Sequence, residues 1–291
     1  MSDGDDLMDD TEGNRDDAGG DSERREVNRR NWDERAEIHP DADYYDVEGF
    51  LAGESSLKDI EREELAVEGT RLLHLMCHNG LDTLSWAREG ADVVGLDFSA
   101  TALATAREIR DAAGIDPERA RFVESDVYDA AETVPDVGSY DLVVATYGVL
   151  GWLPDLERLA EVAADCLAPG GAFYLVDGHP LVSALWQVES DGSEDGGWPY
   201  WNDGPHRIDE QGTYADPDAE LENQVNYQWP HSMGEIVSAV AEAGLRVEFL
   251  HEFDRTDHRQ VEGMVQGDDG WWRHPEYDVP FTFSLKARKS G

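Results

Sequence analysis

The chain of 291 residues carries 65 acidic and 23 basic residues, which gives a formal net charge of -42. This length suits one large domain or two small ones with a sizeable core. Because no lysine or arginine stripe offsets the negative field, duplex nucleic acid and anionic membranes are disfavoured as partners. The acidity runs through the whole chain, and we interpret it as adaptation to the salt-saturated cytoplasm of a halophilic archaeon, where a Debye length of roughly 3 Å screens it.

The cysteine content and the hydropathy pattern favour a cytoplasmic protein. Cys77 and Cys166 lie in separate predicted core elements, which indicates a reducing compartment rather than a disulfide framework. No apolar run is long enough for a transmembrane helix, and no apolar segment follows the two arginine pairs near the N-terminus. The oligomeric state is left open by the sequence.

The first part of the chain divides into an acidic segment and a stretch rich in aromatic residues. Residues 1–28 contain almost no large apolar side chains, and we predict that this segment is disordered and precedes a single domain at 29–291. The following aromatic stretch has irregular spacing. It is interpreted either as a strap that packs on the core or as a cover that closes over a ligand with Trp32, Arg35, His39 and Tyr45.

From residue 71 onward, short apolar runs alternate with helical patterns. The predicted strands cover 72–76, 93–96, 121–124, 140–146, 172–176, 245–250 and 281–285. Such alternation predicts an α/β fold, a Rossmann-like doubly wound sheet that is mostly parallel. Helix caps are predicted at Ser99 and, through a capping box with Glu235, at Ser232.

A long irregular segment at 185–229 interrupts this pattern and predicts a lid or binding loop. A hairpin is expected within it, pairing 212–215 with 224–228. Its aromatic residues, with Trp229 at its end, predict an apolar enclosure that suits a small molecule better than an RNA or protein surface. The aromatic residues of this segment are Trp186, Trp198, Tyr200, Trp201 and Trp229.

The loop between the first two predicted strands narrows the class of ligand. An open α/β sheet binds nucleotides at this edge, and dinucleotide sites use several glycines so that the backbone can approach a pyrophosphate. Here Met76 and His78 would crowd a pyrophosphate, whereas S-adenosylmethionine carries no phosphate. In either case Asp97 is placed to accept hydrogen bonds from ribose hydroxyls, and Asp126 to accept one from an adenine amino group. These residues favour the methyl donor over NAD(P).

The order of these segments resembles the class I S-adenosylmethionine-dependent methyltransferases. The resemblance covers roughly residues 32–286 and includes Pro169-Gly170-Gly171 before the fifth strand. It implies a seven-stranded sheet with a reversed C-terminal hairpin. The family usually has Asp-x-Gly-x-Gly-x-Gly in its first loop, whereas residues 74–80 read HLMCHNG. This loop is similar to that of a subgroup with His-Leu-x-Cys-His-x-Gly-x-Asp-Thr.

Site residues are assigned on the resemblance and on their position at the sheet edge. We predict that S-adenosylmethionine is bound by Met76, Cys77, His78, Asn79, Gly80, Asp97, Phe98, Ala102, Asp126, Val127, Thr146 and Tyr147. The cofactor or the substrate would be covered by Trp32, Arg35, His39, Tyr45 and Trp152. No metal is predicted, because strand alternation directs His74 and Cys77 to opposite faces. His74 is interpreted as a buried support of the loop.

The predicted function is methyl transfer to an unidentified acceptor, which we expect to be a small molecule. If the acceptor is a hydroxyl or an amine, a base must take its proton. Tyr147, Asp177 and His179 are the candidates at the appropriate edge of the sheet, and His231 at the start of a late helix could also reach the acceptor. Two alternatives stay open: an NAD(P)-dependent Rossmann oxidoreductase, and a non-catalytic nucleotide-binding module.

Overall fold

The computed structural model describes residues 18–182 and 199–291, and its central element is a seven-stranded sheet. In chain order the strands are β1 (Arg71–Leu75), β2 (Asp92–Asp97), β3 (Ala120–Glu124), β4 (Tyr140–Thr146), β5 (Leu167–Gly178), β6 (His206–Asp209), β7 (Val225–Gln228), β8 (Leu245–Phe253), β9 (Val265–Gln266), β10 (Trp272–Arg273) and β11 (Thr282–Lys289). The central sheet has the order β3-β2-β1-β4-β5-β11-β8. Two two-stranded sheets, β6 with β7 and β9 with β10, lie outside it.

The sheet is parallel from β3 to β5, and β11 is its antiparallel strand. Thr282, at the start of β11, lies opposite Gly178 of β5 on one side and Phe253 of β8 on the other. The carboxyl ends of β5 and β8 therefore meet at the same edge as those of β1, β2 and β4. This arrangement confirms the predicted mostly parallel α/β sheet with a reversed C-terminal hairpin.

Helices pack on both faces of the sheet. Their bounds are α1 (Ala18–Ile38), α2 (Val47–Ala52), α3 (Asp59–Glu64), α4 (Leu81–Arg88), α5 (Ala100–Ala112), α6 (Ala130–Thr133), α7 (Leu156–Cys166) and α8 (Met233–Glu242). Successive residues of β1 point to opposite faces, so that Leu73 enters the core on one side and Leu72 the core on the other. The predicted caps are confirmed, because Ser99 accepts from Ala102 N and Ser232 forms a capping box with Glu235.

Two predictions about local structure are wrong. Residues 18–28 were expected to be disordered but form the first half of α1, where Arg25 and Asn28 bond to distant parts of the chain; residues 1–17 lie outside the described part. The hairpin partner of β7 is His206–Asp209 rather than 212–215. The latter residues instead form a turn, in which Thr213 N donates to Asp216 O and Thr213 Oγ1 accepts from Asp216 N.

In the ranges that the structure describes, no helix is both long enough and apolar enough to cross a membrane. Cys77 and Cys166 are buried and free.

Candidate active site

A cavity of about 800 Å³ opens at the carboxyl edge of the central sheet. Its floor consists of the loops that follow β1, β2, β4 and β5, and its cover consists of α1, the Tyr44–Tyr45 turn and the loop after β6. Ligands of open α/β sheets bind at this position. The sheet topology thus brings residues from nearly the whole length of the chain to one site.

The backbone of the loop after β1 is left-handed at two residues that are not glycine, Met76 and His78. Met76, His78 and Gly80 all have positive φ angles, of 56°, 49° and 75°. These are the three positions at which the resemblance places glycines. Left-handed backbone at a residue with a Cβ costs on the order of 1 kcal/mol or more. The loop therefore retains the conformation of the glycine motif at Met76 and His78 despite this cost.

Asp97 ties this loop to the end of β2. One carboxylate oxygen accepts from His78 N at 2.8 Å and the other accepts from Ser99 N at 2.9 Å. Burial raises the pKa of Asp97 to about 6, against the effect of these hydrogen bonds. Each oxygen of a carboxylate can accept a second hydrogen bond, and Asp97 lines the cavity. It can therefore accept from a ligand hydroxyl without releasing the loop.

His74 lies beneath the loop as a buried support. Its Nδ1 lies 2.8 Å from Thr83 Oγ1 and its Nε2 lies 3.1 Å from Thr146 Oγ1. Burial lowers the pKa of His74 to about 3, so the ring is neutral at physiological pH. The hydrogen bonds connect β1 to α4 and to the end of β4, which fits the structural role expected for this residue.

His78 belongs to a stack of rings that closes over the loop. Its Nδ1 accepts from Asn79 N at 2.5 Å, so its Nε2 carries the proton and donates to His39 Nδ1 at 3.0 Å. Tyr45 stacks on His78 with ring centroids 5.2 Å apart and an interplanar angle of 7°. Burial lowers the pKa of His39 to about 2 and that of His78 to about 4. The pair is thus neutral, and it joins the N-terminal cover to the floor of the cavity.

Two buried donors on the cavity wall have no partner within the described part of the chain. They are Asn79 Nδ2 and Arg35 Nε. The Arg35 side chain is only 2% exposed; its guanidinium lies 5.5 Å from the Trp32 ring and 5.8 Å from the Trp152 ring, and it donates to Glu210. Leaving a buried donor unpaired costs roughly 1–3 kcal/mol. Both atoms are therefore suited to meet an acceptor atom of a ligand, such as a carboxylate oxygen.

Most of the predicted site residues lie together on this cavity. The predicted cofactor residues that line it are Met76, Cys77, His78, Asn79, Asp97, Phe98, Thr146 and Tyr147, and the predicted cover residues that line it are Trp32, Arg35, Tyr45 and Trp152. His39 is fully buried behind His78.

Asp126 lies apart from the main cavity. It borders a smaller cavity of about 470 Å³ that shares Phe98 with the main one. Its two carboxylate oxygens accept from Arg25 of α1 and from Tyr128 N. Val127 and Ala102 are buried and line neither cavity. The role of Asp126 towards an adenine ring stays a prediction. To bind the ring, the Asp126 carboxylate would have to accept a further hydrogen bond or give up its ion pair with Arg25.

Three of the candidate bases, Tyr147, His179 and His231, line the cavity, but each is held by other groups. The Tyr147 hydroxyl donates to Glu61 at 2.7 Å, and burial raises the pKa of Tyr147 well above its usual range. His179 accepts from Leu181 N at 3.1 Å through Nδ1 and faces Glu252 at 2.9 Å through Nε2.

His231 is held in the same way. Its Nε2 donates to Leu153 O at 2.7 Å, and its Nδ1 lies 3.3 Å from Glu235 Oε1. Every one of these ring nitrogens and hydroxyls therefore has a partner in the protein. None of the three candidates offers a free basic atom to an acceptor.

The aromatic enclosure is built differently from the prediction. Trp229 is buried and lines the cavity, whereas the Trp201 side chain is 70% exposed and does not. Tyr200 accepts a hydrogen bond from Met233 N at the start of α8. Trp186 and Trp198 lie outside the described residues. The aromatic wall comes instead from Tyr44, Tyr45 and Tyr214, whose rings contact one another at centroid distances of 5.1–6.4 Å.

Several acidic groups on or beside the cavity were missed by the sequence analysis. Burial, together with the charge of Asp82, raises the pKa of Glu61 to about 8. Asp82 lines the cavity beside Lys58 and accepts from Ser56 Oγ at 2.6 Å. Asp257 and His258 reach the cavity from the loop after β8. The sequence could have placed Asp257 and His258 at this edge of the sheet, because β8 is predicted and its parallel orientation to β5 brings the following loop here.

Asp177, the remaining candidate base, lies at the end of β5 and organises the neighbouring loop. Its carboxylate accepts from the N–H groups of Gly148, Val149, Leu150 and Gly178 at 2.6–3.0 Å. Burial raises the pKa of Asp177, and these four donors oppose that shift. The carboxylate thereby fixes the turn at Tyr147, which has a φ of 47°. Within residues 18–182 and 199–291, no three histidine, cysteine or acidic side chains converge on a point where they could hold a metal ion.

The chain is similar to methyltransferases in sequence and in fold. A family model described as a methyltransferase domain matches residues 73–173. An uncharacterized methyltransferase of Synechocystis is 33% identical over 132 residues, which cover 44% of this chain and 57% of that protein. The ubiquinone biosynthesis O-methyltransferase of Pectobacterium carotovorum is 35% identical over 103 residues, or 35% of this chain and 41% of that protein.

A protein of Methanocaldococcus jannaschii named as a ribosomal RNA large subunit methyltransferase is 33% identical over 86 residues, which cover 29% of this chain and 22% of that protein. The chain thus spans between about a fifth and about three fifths of the length of these relatives. Among solved structures, an S-adenosylmethionine-dependent methyltransferase from Mesorhizobium loti has a TM-score of 0.53 and 21% identity, covering 82% of this chain and all of that one. The fold is therefore one that such methyltransferases share.

Proposed function

We propose that the protein is an S-adenosylmethionine-dependent methyltransferase that acts on a small molecule. The observation that carries this proposal is the loop after β1. Its backbone is left-handed at residues 76, 78 and 80, and Met76 and His78 carry side chains where a dinucleotide loop has glycines, so that these side chains would crowd a pyrophosphate. The sequence match at 73–173 and the shared fold support the same conclusion. The dinucleotide alternative lacks comparable support.

The residues of the cavity fit the methyl donor. Asp97 has free acceptor capacity for ribose hydroxyls, and the unpaired donors Asn79 Nδ2 and Arg35 Nε suit the carboxylate of its amino-acid end. When bound, this group supplies an electrophilic methyl on a sulfonium. The chain would then act mainly by holding the two reactants in line and excluding water, and such orientation is worth roughly 7–11 kcal/mol relative to free encounter.

The shape and the charge of the site support a small acceptor rather than RNA. The cavity is covered by α1, the Tyr44–Tyr45 turn and the loop after β6, so an RNA strand would have to displace this cover. The net charge of -42 also opposes a polyanion. Ribosomal RNA, which the name of the Methanocaldococcus jannaschii relative gives, therefore suits this site less well than a small molecule does.

Calorimetry in molar KCl with S-adenosylhomocysteine and with NAD tests the choice of ligand. We expect S-adenosylhomocysteine to bind and NAD not to bind.

Replacement of Asp97 by alanine should weaken S-adenosylhomocysteine binding by about tenfold or more, because charged hydrogen bonds to the ribose are lost. Asp92→Ala, at the exposed start of the same strand, is the matched control and should bind normally. Unchanged affinity in Asp97→Ala would refute the ribose assignment, and absence of binding in the wild type would refute the proposal.

Methyl-labelled cofactor separates an enzyme from a binding module. The wild-type protein would be incubated with this cofactor and a small-molecule extract in molar KCl. We expect label in an organic product. Tight binding of S-adenosylhomocysteine without transfer of label would favour the non-catalytic module.

A further inference from the structure

One histidine on the cavity wall differs from the others in its hydrogen bonds. His74, His78, His179 and His231 each have partners at both ring nitrogens. His258 has a protein partner at Nδ1 alone, namely Asp257 Oδ1 at 3.0 Å. Its side chain is 34% exposed and lines the cavity. Within the described residues, its Nε2 is therefore the one cavity imidazole nitrogen that is open to a ligand.

Asp257 is a fixed and ionised partner for this ring. Its side chain is 5% exposed, and it accepts from the Tyr44 hydroxyl and from Thr256 Oγ1, the latter at 3.2 Å. Burial alone would raise the pKa of Asp257, but the hydrogen bonds from His258 and Tyr44 and the charge of His258 hold it well below its usual range. The carboxylate thus keeps the proton of a neutral His258 on Nδ1 and directs the lone pair of Nε2 away from itself.

The surroundings of His258 favour a basic ring. Burial lowers its pKa, but the hydrogen bond and charge of Asp257 outweigh this effect, so that the pKa of His258 is raised. Lys58 opposes the rise and Asp177 adds to it. The remaining titratable groups in ring contact are the neutral hydroxyls of Tyr44 and Tyr214, at centroid distances of 6.3 and 6.1 Å. By contrast, the pKa values of His39, His74, His78 and His179 are all lowered.

The position of the pair matches that of an acceptor. The loop after β8 lies at the same edge as the end of β5, because Gly178 and Phe253 both oppose Thr282. The Tyr44 ring contacts both His258 and Tyr45, and Tyr45 stacks on His78 of the loop after β1. A flat molecule against these tyrosines would therefore lie between the loop after β1 and His258.

Resting on the proposed function, we infer that His258, oriented by Asp257, is the catalytic base and that the acceptor is an aromatic hydroxyl compound. The acceptor O–H gives its proton to Nε2 of His258. The oxygen uses the freed electron pair to form the new O–CH₃ bond, and the C–S bond breaks with its electron pair left on sulfur. The products are a methyl ether, S-adenosylhomocysteine and an imidazolium that returns its proton to water.

The tyrosine wall and the base together select the acceptor class. Tyr44, Tyr45 and Tyr214 provide flat apolar faces that stack on an aromatic ring. An imidazole matches a phenolic proton, since proton transfer works best between groups of similar pKa. Aliphatic hydroxyls hold their protons too tightly for this base. Asp257 is a positioning residue in this scheme, because it acts on the acceptor only through His258.

Catechol, phenol and hydroquinone serve as the acceptor probes, with labelled S-adenosylmethionine in molar KCl and mass detection of the methyl ether. The wild type should methylate at least one of them. His258→Gln should lower kcat by about 10²-fold to 10⁴-fold, with S-adenosylhomocysteine affinity unchanged by calorimetry. His251→Gln, an exposed histidine of β8 outside the cavity, is the matched control and should retain full activity.

The positioning role has its own readout. Asp257→Asn should lower kcat and move the acidic limb of the pH–rate profile to lower pH, because removal of the carboxylate lowers the pKa of His258. NMR titration of the His258 ring in the folded variants measures this shift directly. An enzyme that binds S-adenosylhomocysteine but methylates none of the three probes would overturn the acceptor class. Full activity in His258→Gln would overturn the base, whereas failure to bind S-adenosylhomocysteine at all would overturn the proposed function itself.

Discussion

At the scale of single residues, the cavity floor depends on side chains that are buried without charge. His74 has two threonine hydroxyls as its partners, and neither can compensate a positive charge. The pKa of His74 is about 3 in the folded protein and about 6.5 in the unfolded chain. Between these two values, only the unfolded chain binds the proton. Protonation therefore favours the unfolded state.

The linkage gives a prediction for His74→Gln. On acidification from about pH 7 to about pH 5, this histidine alone should lower the free energy of unfolding of the wild type by about 2 kcal/mol, because only the unfolded state binds its proton. Glutamine offers a donor and an acceptor but does not titrate. The variant should thus be less stable than the wild type at neutral pH, and the difference should shrink on acidification. Denaturant unfolding in molar KCl at both pH values measures it; a constant difference would contradict the pKa assigned to His74.

Gly80 gives a second prediction at this scale. It combines a φ of 75° with tight packing, since a Cβ added there would lie 2.8 Å from both Ala106 Cβ and the Phe122 ring. Gly80→Ala should therefore cost the strain of a left-handed alanine plus an overpacking penalty of about 1–3 kcal/mol. Gly114→Ala is the matched control, because Gly114 has a φ of 67° with no atom near the added Cβ. Equal losses in the two variants, measured by denaturant unfolding, would contradict the packing argument.

At the scale of elements, α1 forms part of the cover of the cavity and is held by the β6–β7 hairpin and the residues just before β7. Asn28 makes two hydrogen bonds of 2.7 Å to the backbone of Tyr227, and Asn31 donates to Asn223 O at 2.6 Å. Arg35 pairs with Glu210 across the same contact. These partners lie nearly two hundred residues apart in the chain. Their hydrogen bonds hold α1 and the β6–β7 hairpin against each other.

Asn28→Ala should loosen this cover. The variant loses both hydrogen bonds to Tyr227 and leaves a backbone N–H and a carbonyl without their partners, which costs on the order of 1–3 kcal/mol. We expect faster amide hydrogen exchange in α1 and unchanged exchange in β1 and β4. Arg30→Ala, whose side chain is exposed and contacts Glu26 of the same helix, is the control and should exchange like the wild type. Protection of α1 that stays at the wild-type level in Asn28→Ala would show that the hairpin does not hold the helix.

The elements and the site were predictable from the sequence to different degrees. The strands of the sheet were predicted because each is a short apolar run between loops, and the caps at Ser99 and Ser232 because capping is local. The first half of α1 has few apolar residues, and its order depends on distant polar partners such as the backbone of Tyr227. No periodicity in the sequence reports such contacts.

The same distinction separates the two ends of the cavity. The loop after β1 and Asp97 lie within one βαβ unit, so their proximity follows from the spacing in the sequence. Asp257 and His258 come from an irregular loop far along the chain, and their contact with Tyr44 depends on how two loops fold over the sheet edge. The predicted β8 places their loop at this edge of the sheet, whereas their contact with Tyr44 does not follow from the sequence.

At the scale of the whole molecule, the net charge of -42 opposes compactness through electrostatic self-repulsion. Many basic groups already pair locally, as in Arg29 with Glu26 and Arg288 with Glu248, so few cations are left to offset the remaining acid. The repulsion acts over roughly 10 Å at low salt and over roughly 3 Å in molar salt. The unfolded chain spreads the same charges over a larger volume, and screening should therefore favour the folded state.

We accordingly expect the midpoint of thermal unfolding to rise by about 10 °C or more between dilute buffer and molar KCl, which corresponds to a few kcal/mol for a chain of this size. Circular dichroism at increasing KCl measures the shift. Betaine at equal osmolality is the control, because it is excluded from protein surfaces but carries no net charge and cannot screen. A similar rise in betaine would assign the effect to solvent exclusion, and a midpoint independent of KCl would contradict the interpretation of the acidity as salt adaptation. If screening is the cause, most of the rise should occur while the Debye length falls below the spacing of the surface carboxylates.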